Sequence, residues 1–266
     1  MKDESKGFSK YLIIFVDILG SQGKTDFSEL YHINKIFHGE FETNQKNDMD
    51  HTVYFRKIYT FSDCAYIFYR FKDGIEDERK NLGELFKVAL CNCEPIFLRF
   101  LKERIVFRGG ITYGDAYVDL HRSMFFGEAI NRAYQLESKI ALHPRIVVDF
   151  NVAEEVTESI SQAKYKMLAK NPEYVSLVGR HLMAPMPEVG EGIIEQDEAG
   201  QYIFNYLHFP ENNVICSDLY LSAPDFLEKL KDFYCEQISV NKDYKIKDKY
   251  YYLLRYVKGK LRNLEQ

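Results

Sequence analysis

The apolar positions of this chain fall into two kinds of run. Tyr11-Leu12-Ile13-Ile14-Phe15-Val16 is unbroken and closes on a single carboxylate, Asp17, which predicts a strand over 10–17. A second such run, Lys57-Ile58-Tyr59-Thr60-Phe61-Ser62-Asp63, leads straight into Cys64-Ala65-Tyr66-Ile67-Phe68. This reads as two strands, 52–60 and 63–70, joined by a tight turn with an acid at its exit. By contrast Leu82, Leu85, Phe86, Ala89, Leu90, Cys93, Phe97 and Leu101 recur at steps of three and four, so 80–103 is predicted to be a helix with one buried stripe. The remaining early segments read as helix 27–38, strand 104–112, a short strand near 114–119, helix 127–140 and strand 144–149.

That order, strand-helix-strand-strand-helix-strand with additions, is an α+β pattern of the ferredoxin-like plan. Past residue 150 the wording changes, with Pro172, Pro185, Pro187 and Pro210 and an acidic loop around Glu195-Gln196-Asp197-Glu198. The expected division is therefore 1–150 for a first domain and 151–266 for a C-terminal α/β extension packed on it. Within the extension 201–207 is strand-like, and 224–237 and 247–263 look helical. No repeat or low-complexity tract is evident.

Composition narrows the function classes. The chain has 266 residues, 46% of them hydrophobic, with 20 Tyr and 20 Phe, enough to bury a sizeable core. It offers no stretch of about 18 apolar residues for a membrane span, and its polar start is not a secretion signal, so a cytoplasmic protein with no membrane partner is expected. A net charge of −5 gives no general basic footprint, so no nucleic-acid partner is expected. An anionic nucleotide would need a local positive site or metal ions. Cys64, Cys91, Cys93, Cys216 and Cys235 lack paired metal-ligand spacing, and Cys91 and Cys93, two apart on a helix, cannot face one ligand. His32, His38, His51, His121, His143, His181 and His208 are scattered.

The chemistry is concentrated in the acids. A carboxylate at the end of a hydrophobic strand needs a cation, a donor-rich loop or water at the sheet edge. Asp17 and Asp63 are separated by enough chain for a helix, a loop and a returning strand, which lets both acids meet at one sheet edge. Two further segments follow: Arg108-Gly109-Gly110-Ile111-Thr112-Tyr113-Gly114, and Phe126-Gly127-Glu128-Ala129-Ile130-Asn131-Arg132-Ala133-Tyr134-Gln135-Leu136-Glu137. Over residues 8–150 the chain resembles the class III nucleotidyl cyclase catalytic domain. That family's pattern is an F-x-D-I-x-G-F-like segment, a second aspartate after a hairpin turn, an R-x-G-I-x-x-G strand and a G-x-x-x-N-x-A-x-x-L-E helix. Within the family it is most similar to the pyrimidine cyclases of Pycsar anti-phage systems, which share F-V-D-I-L-G, F-S-D and N-x-A-Y-x-L-E.

The resemblance implies two divalent cations, Mn2+ or Mg2+, bridged by Asp17 and Asp63 with the main-chain carbonyl of Ile18 as a further ligand. Hard oxygen donors suit both ions. The loop Ile18-Leu19-Gly20-Ser21 would offer main-chain amides to a triphosphate, with Gly20 permitting close approach. Asn131 would orient the ribose. The expected enzyme is a head-to-tail homodimer with composite sites, turning UTP or CTP into a 3′,5′-cyclic monophosphate that a separate effector protein senses during phage infection.

Three departures from the family pattern matter. Gln135 stands where an arginine steadies the transition state, and Arg132, Arg108, Lys57 and Lys139 are the candidate replacements. Tyr59 and Met124 occupy the base-reading positions, where a large aromatic and an apolar chain would remove the purine hydrogen-bond code and shrink the pocket. Ser62 stands where the family has glycine. A purine nucleotidyl cyclase and a nucleotide-binding module without turnover stay open as alternatives; a palm-type polymerase lacks the basic groove it would need.

Overall fold

The computed structural model describes residues 7–21, 25–39, 52–119, 121–170, 192–207 and 223–264. Pro172, Pro185, Pro187, Pro210, Cys216, His51, His181 and His208 lie outside the described residues.

Strand β1 (Ser9–Ile18) lies between two neighbours and is covered on both faces. Successive strand residues point to opposite sides. Thus Leu12, Ile14, Val16 and Ile18 enter one buried cluster, and Tyr11, Ile13 and Phe15 enter another. A strand buried on both faces needs apolar side chains at every position, which is why the run shows no alternation. By the same parity Asp17 shares a face with Phe15. Helix α1 (Phe27–Gly39) follows, then β2 (Tyr54–Phe61) and β3 (Cys64–Phe71), then helix α2 (Leu82–Lys102). The side chain of Asn81 caps α2 by accepting from the Glu84 amide at 2.9 Å. Seven of the eight stripe residues of α2 are buried and the eighth, Leu82, packs against the same core.

Strand β4 (Phe107–Asp119) is one continuous element. The sequence suggests a break between 112 and 114, but β1 pairs straight through it, with Leu12 opposite Tyr113 and Tyr11 opposite Gly114. The strand also begins later than expected, because Arg104 turns the chain in the left-handed region, at φ 59°. Short β5 (Met124–Phe126) folds back on the end of β4. Helix α3 (Glu128–Gln135) then runs into a wider π turn, Leu136–Ile140, in which the Ala141 amide donates to the Leu136 carbonyl at 2.7 Å. Next come β6 (Ile146–Val148), α4 (Phe150–Lys170), β7 (Ile194–Gln196), β8 (Tyr202–Phe204), α5 (Ala223–Val240) and α6 (Tyr244–Leu264).

Among the described residues the strands form one sheet in the order β2-β3-β1-β4-β6-β8-β7, with β5 paired to β4. Every pairing is antiparallel except β4 with β6, so the architecture is α+β. The cluster that holds the even-numbered β1 residues also takes side chains from α1, α2, α4 and the α5–α6 pair. Lys260 on α6 and Glu195 on β7 form a buried ion pair at 2.7 Å. No helix among the described residues is long and apolar enough to cross a membrane.

The opposite face is covered by α3, and Gly110 sets how closely. A β-carbon there would lie 2.4 Å from the Ala133 carbonyl oxygen and 2.5 Å from Leu136 Cβ, both on the packed helix. Gly110→Ala is therefore expected to destabilise the protein by about 1–3 kcal/mol, the usual range for an overpacked core. Urea unfolding measures this. An unchanged midpoint would show that α3 can lift from β4 at no cost.

Candidate active site

Two acids meet at the end of β1. Asp17 stands between Cys64 of β3 and Arg108 of β4 in the sheet register. Asp63 leaves the β2–β3 turn, and its carbonyl accepts a hydrogen bond from the Ile18 amide at 3.1 Å. The two acid-bearing segments are thus fastened main chain to main chain. Ser21 completes the corner: its hydroxyl lies against the Asp63 carboxylate and 3.2 Å from the Ile18 carbonyl oxygen. Two acceptors converge there on one proton.

The electrostatics follow from that crowding. Burial pushes the Asp17 carboxyl above its ordinary range, the charge of Asp63 pushes the same way, and Arg108 opposes both. Cys64 lies within the field of three acids. Burial first, then Asp17, Asp63 and Glu137, push its thiol up to about 11. Such a thiol is protonated at neutral pH and inert. Its Sγ donates to the Phe61 carbonyl at 3.0 Å.

The loop after β1 turns at Gly20, whose φ of 80° belongs to the left-handed region. Among the described residues no atom lies within 4 Å of where its β-carbon would be. The amides of Ile18 and Leu19 are engaged inside the fold, with the Asp63 and Val106 carbonyls at 3.1 and 2.8 Å. The expected four-residue amide cradle therefore narrows to Gly20 and Ser21. Ile18, Leu19 and Gly20 also line a cavity of about 370 Å³ together with His32, Arg104 and Tyr250.

Arg108 is committed to acids of its own chain. It contacts Glu137 closely and stands 3.7 Å from Asp17 Oδ2. Glu137 is only 2% exposed. Burial pushes its carboxyl up to about 7, with Arg108 pulling down and Asp17 adding to the rise. Arg108 Nε and Glu137 Oε1 are buried without an aligned hydrogen bond, so charge holds them together. Glu137 was missed as a site residue, and its one signal was its place at the end of the asparagine-bearing helix motif.

The other candidates separate. Arg132 clasps Asp149, its Nε 3.0 Å from both oxygens, while Thr112 donates to the same carboxylate at 2.5 Å. That pairing ties Arg132 to the residue between β6 and α4 and not to the acid corner. Asn131 and Gln135 are exposed on α3. Tyr59 lies on the α3 side of the sheet, its ring 4.9 Å from Phe125. Phe125 in turn lies 4.9 Å from Tyr66. Met124 is exposed, because strand alternation turns Phe125, and not Met124, toward the sheet. The Lys57 ammonium lies 5.8 Å from the Phe55 ring centre.

Among the described residues no three His, Cys, Asp or Glu side chains converge in a metal-holding cluster. The donor set at this corner is instead two carboxylates and one main-chain carbonyl, all hard oxygens, and the position of the Ser21 hydroxyl shows that Asp63 and Ile18 aim at a common point. That arrangement fits a small divalent ion. No family model and no curated protein matches the sequence.

Ser62 adopts φ 57°, a left-handed conformation that costs a residue with a β-carbon about 1–2 kcal/mol. Glycine is free of that cost but loses more chain entropy on folding. Ser62→Gly is expected to stabilise the fold by up to about 1 kcal/mol. Denaturant unfolding at fixed pH tests it; a less stable variant would show that the Ser62 side chain outweighs the backbone strain.

Proposed function

We propose that this chain is a nucleotidyl cyclase of the class III type, acting on a pyrimidine nucleoside triphosphate. The observation that carries the reading is the meeting of Asp17, Asp63 and the Ile18 carbonyl at one sheet edge. The strand order β2-β3-β1-β4, all antiparallel, supports the ferredoxin-like plan of that family. Fold alone does not fix function, so the weight rests on the acids.

In the reaction the ribose 3′-oxygen attacks the α-phosphorus and loses its proton. The bond from that phosphorus to the oxygen bridging to the β-phosphate breaks, and pyrophosphate leaves. Asp17, Asp63 and the Ile18 carbonyl would hold Mn2+ or Mg2+, which when bound activates the attacking oxygen and neutralises charge on the phosphates. Ser21 and Gly20 face the triphosphate from the loop. Tyr59, backed by Phe125, would fill the space a purine needs and would offer no purine-specific hydrogen-bond pattern.

The site is completed by a second copy. Asn131 and Gln135 are exposed on α3, and the large exposed side chains Phe61, Met124, Phe126 and Tyr134 support a partner surface on this molecule. Of the four basic candidates for the charge missing at Gln135, Arg108 and Arg132 are held by carboxylates of their own chain. Lys57 and Lys139 remain. The same commitment of both arginines favours a second reading, a cyclase-like module that binds nucleotide without turnover.

Incubation of the pure protein with Mn2+ and each of the four nucleoside triphosphates, with products identified by mass, separates the readings. Cyclic UMP or cyclic CMP is expected. Preferential cyclisation of ATP or GTP would overturn the pyrimidine assignment, and binding without any cyclic product would favour the module. Asp17→Asn and Asp63→Asn are each expected to lower turnover by at least about a hundredfold.

Mixing Asp63→Asn with Asn131→Ala tests the composite site. Random exchange makes half the dimers mixed, each with one intact site, so recovery of about a quarter of the wild-type rate is expected. No recovery despite demonstrated subunit exchange would mean a site within one chain.

A further inference from the structure

Asp17 and Arg108 are directly opposed on neighbouring strands and share a face. Opposite charges so placed ordinarily close into a direct ion pair, and an arginine fork can take both oxygens of a carboxylate. Here the contact with Asp17 is the longer of the two that Arg108 makes. Arg108 Nε is 3.7 Å from Asp17 Oδ2 and in much closer contact with Glu137 Oε1.

Glu137 reaches that position because of two local features. Gly110 lets the α3 backbone lie against β4, with the Glu137 amide itself 3.2 Å from where a β-carbon would stand. The π turn then buries Leu136 and Glu137 consecutively. A carboxylate 2% exposed is costly to bury without a counter-charge, and Arg108 is the base in contact with it.

We infer that Glu137 is a positioning residue: by taking the closer contact with Arg108 it draws the guanidinium away from Asp17, so that a divalent cation can compete for that carboxylate. The inference rests on the two-metal reading above. A guanidinium and a metal ion compete for the same oxygens, so the acid that takes the guanidinium away favours the metal. Without Glu137's charge, Arg108 closes on Asp17 and the site loses one negative charge. Without Arg108, the competitor is gone whatever stands at 137.

The test is Mn2+ binding to the full chain without nucleotide, followed by the electron paramagnetic resonance of free Mn2+. Glu137→Gln is expected to weaken binding by at least about tenfold, the scale typical of groups that support metal ligands. Arg108→Gln should not weaken it. The double variant Arg108→Gln/Glu137→Gln should return to within about threefold of wild type, since net charge and access to Asp17 are both restored. A role for Glu137 in folding alone would not give that rescue. Should Glu137→Gln fail to fold, Glu137→Asp keeps the charge with a shorter reach and is expected to weaken binding less than tenfold but measurably.

Wild-type affinity in Glu137→Gln or Glu137→Asp, or a double variant as weak as the single, overturns the inference. Binding that needs Asp17 and Asp63 but ignores Glu137 sinks this inference alone. Binding that survives both Asp17→Asn and Asp63→Asn, or a wild-type chain that takes up no Mn2+, sinks the two-metal reading and this inference with it.

Discussion

The burial of β1 on both faces is the constraint from which the rest follows. The buried stretch of this central strand, Tyr11 to Val16, carries no charge, so Lys10 lies before it and its one carboxylate after it, where the sheet edge opens. Asp17 is therefore held by the whole core: the antiparallel pairings with β3 and β4 fix its height, and strand parity fixes its side. Asp63 is fixed just as firmly, because the turn that carries it is fastened to the Ile18 amide. Two acids held this rigidly cannot relax apart. Burial first, and then the charge of Asp63, push the Asp17 carboxyl above its ordinary range.

The same rigidity explains why α3 belongs to the acid corner. Its apolar side packs Ala129, Ile130 and Ala133 against the face that holds Phe15 and Phe68. Packing at that distance requires Gly110 beneath it, and the close approach delivers Glu137 to Arg108. Asn131 is carried by the same helix on the solvent side. One helix thus links the acid corner of its own subunit to the surface that, in the proposed dimer, serves the other.

Much of this was legible in the sequence, for physical reasons that differ from element to element. An unbroken apolar run ending in one acid can hardly be anything but a central strand, and the α2 stripe fixes a helix because a single face is buried. What the sequence hid were matters of geometry at short range. Residues 112–114 read as a break but sit inside a ladder that β1 pairs straight through. The π turn leaves no compositional mark, so nothing announced that Leu136 and Glu137 would be buried side by side. Arg108 and Arg132 looked equally available as isolated letters. Their commitments to Glu137 and Asp149 depend on contacts between elements far apart in the chain. The pairing of Tyr59 with Phe125 instead of Met124 turned on the parity of a strand three residues long.

Charge balance explains why this corner is costly to the fold alone and useful with a ligand. Asp17 and Glu137 share one guanidinium, Asp63 stands beside Asp17, and the nearby thiol of Cys64 is driven toward its neutral form. A fold selected for stability alone would replace such a cluster with apolar side chains, since a buried charged group rarely outcompetes hydrophobic packing. The surplus of negative charge is relieved by a cation, and a ligand that binds only the folded state stabilises it in proportion to its occupancy. The feature hardest to explain as architecture is therefore the one that the proposed chemistry requires: carboxylates held close enough to repel, with their counter-charge drawn aside.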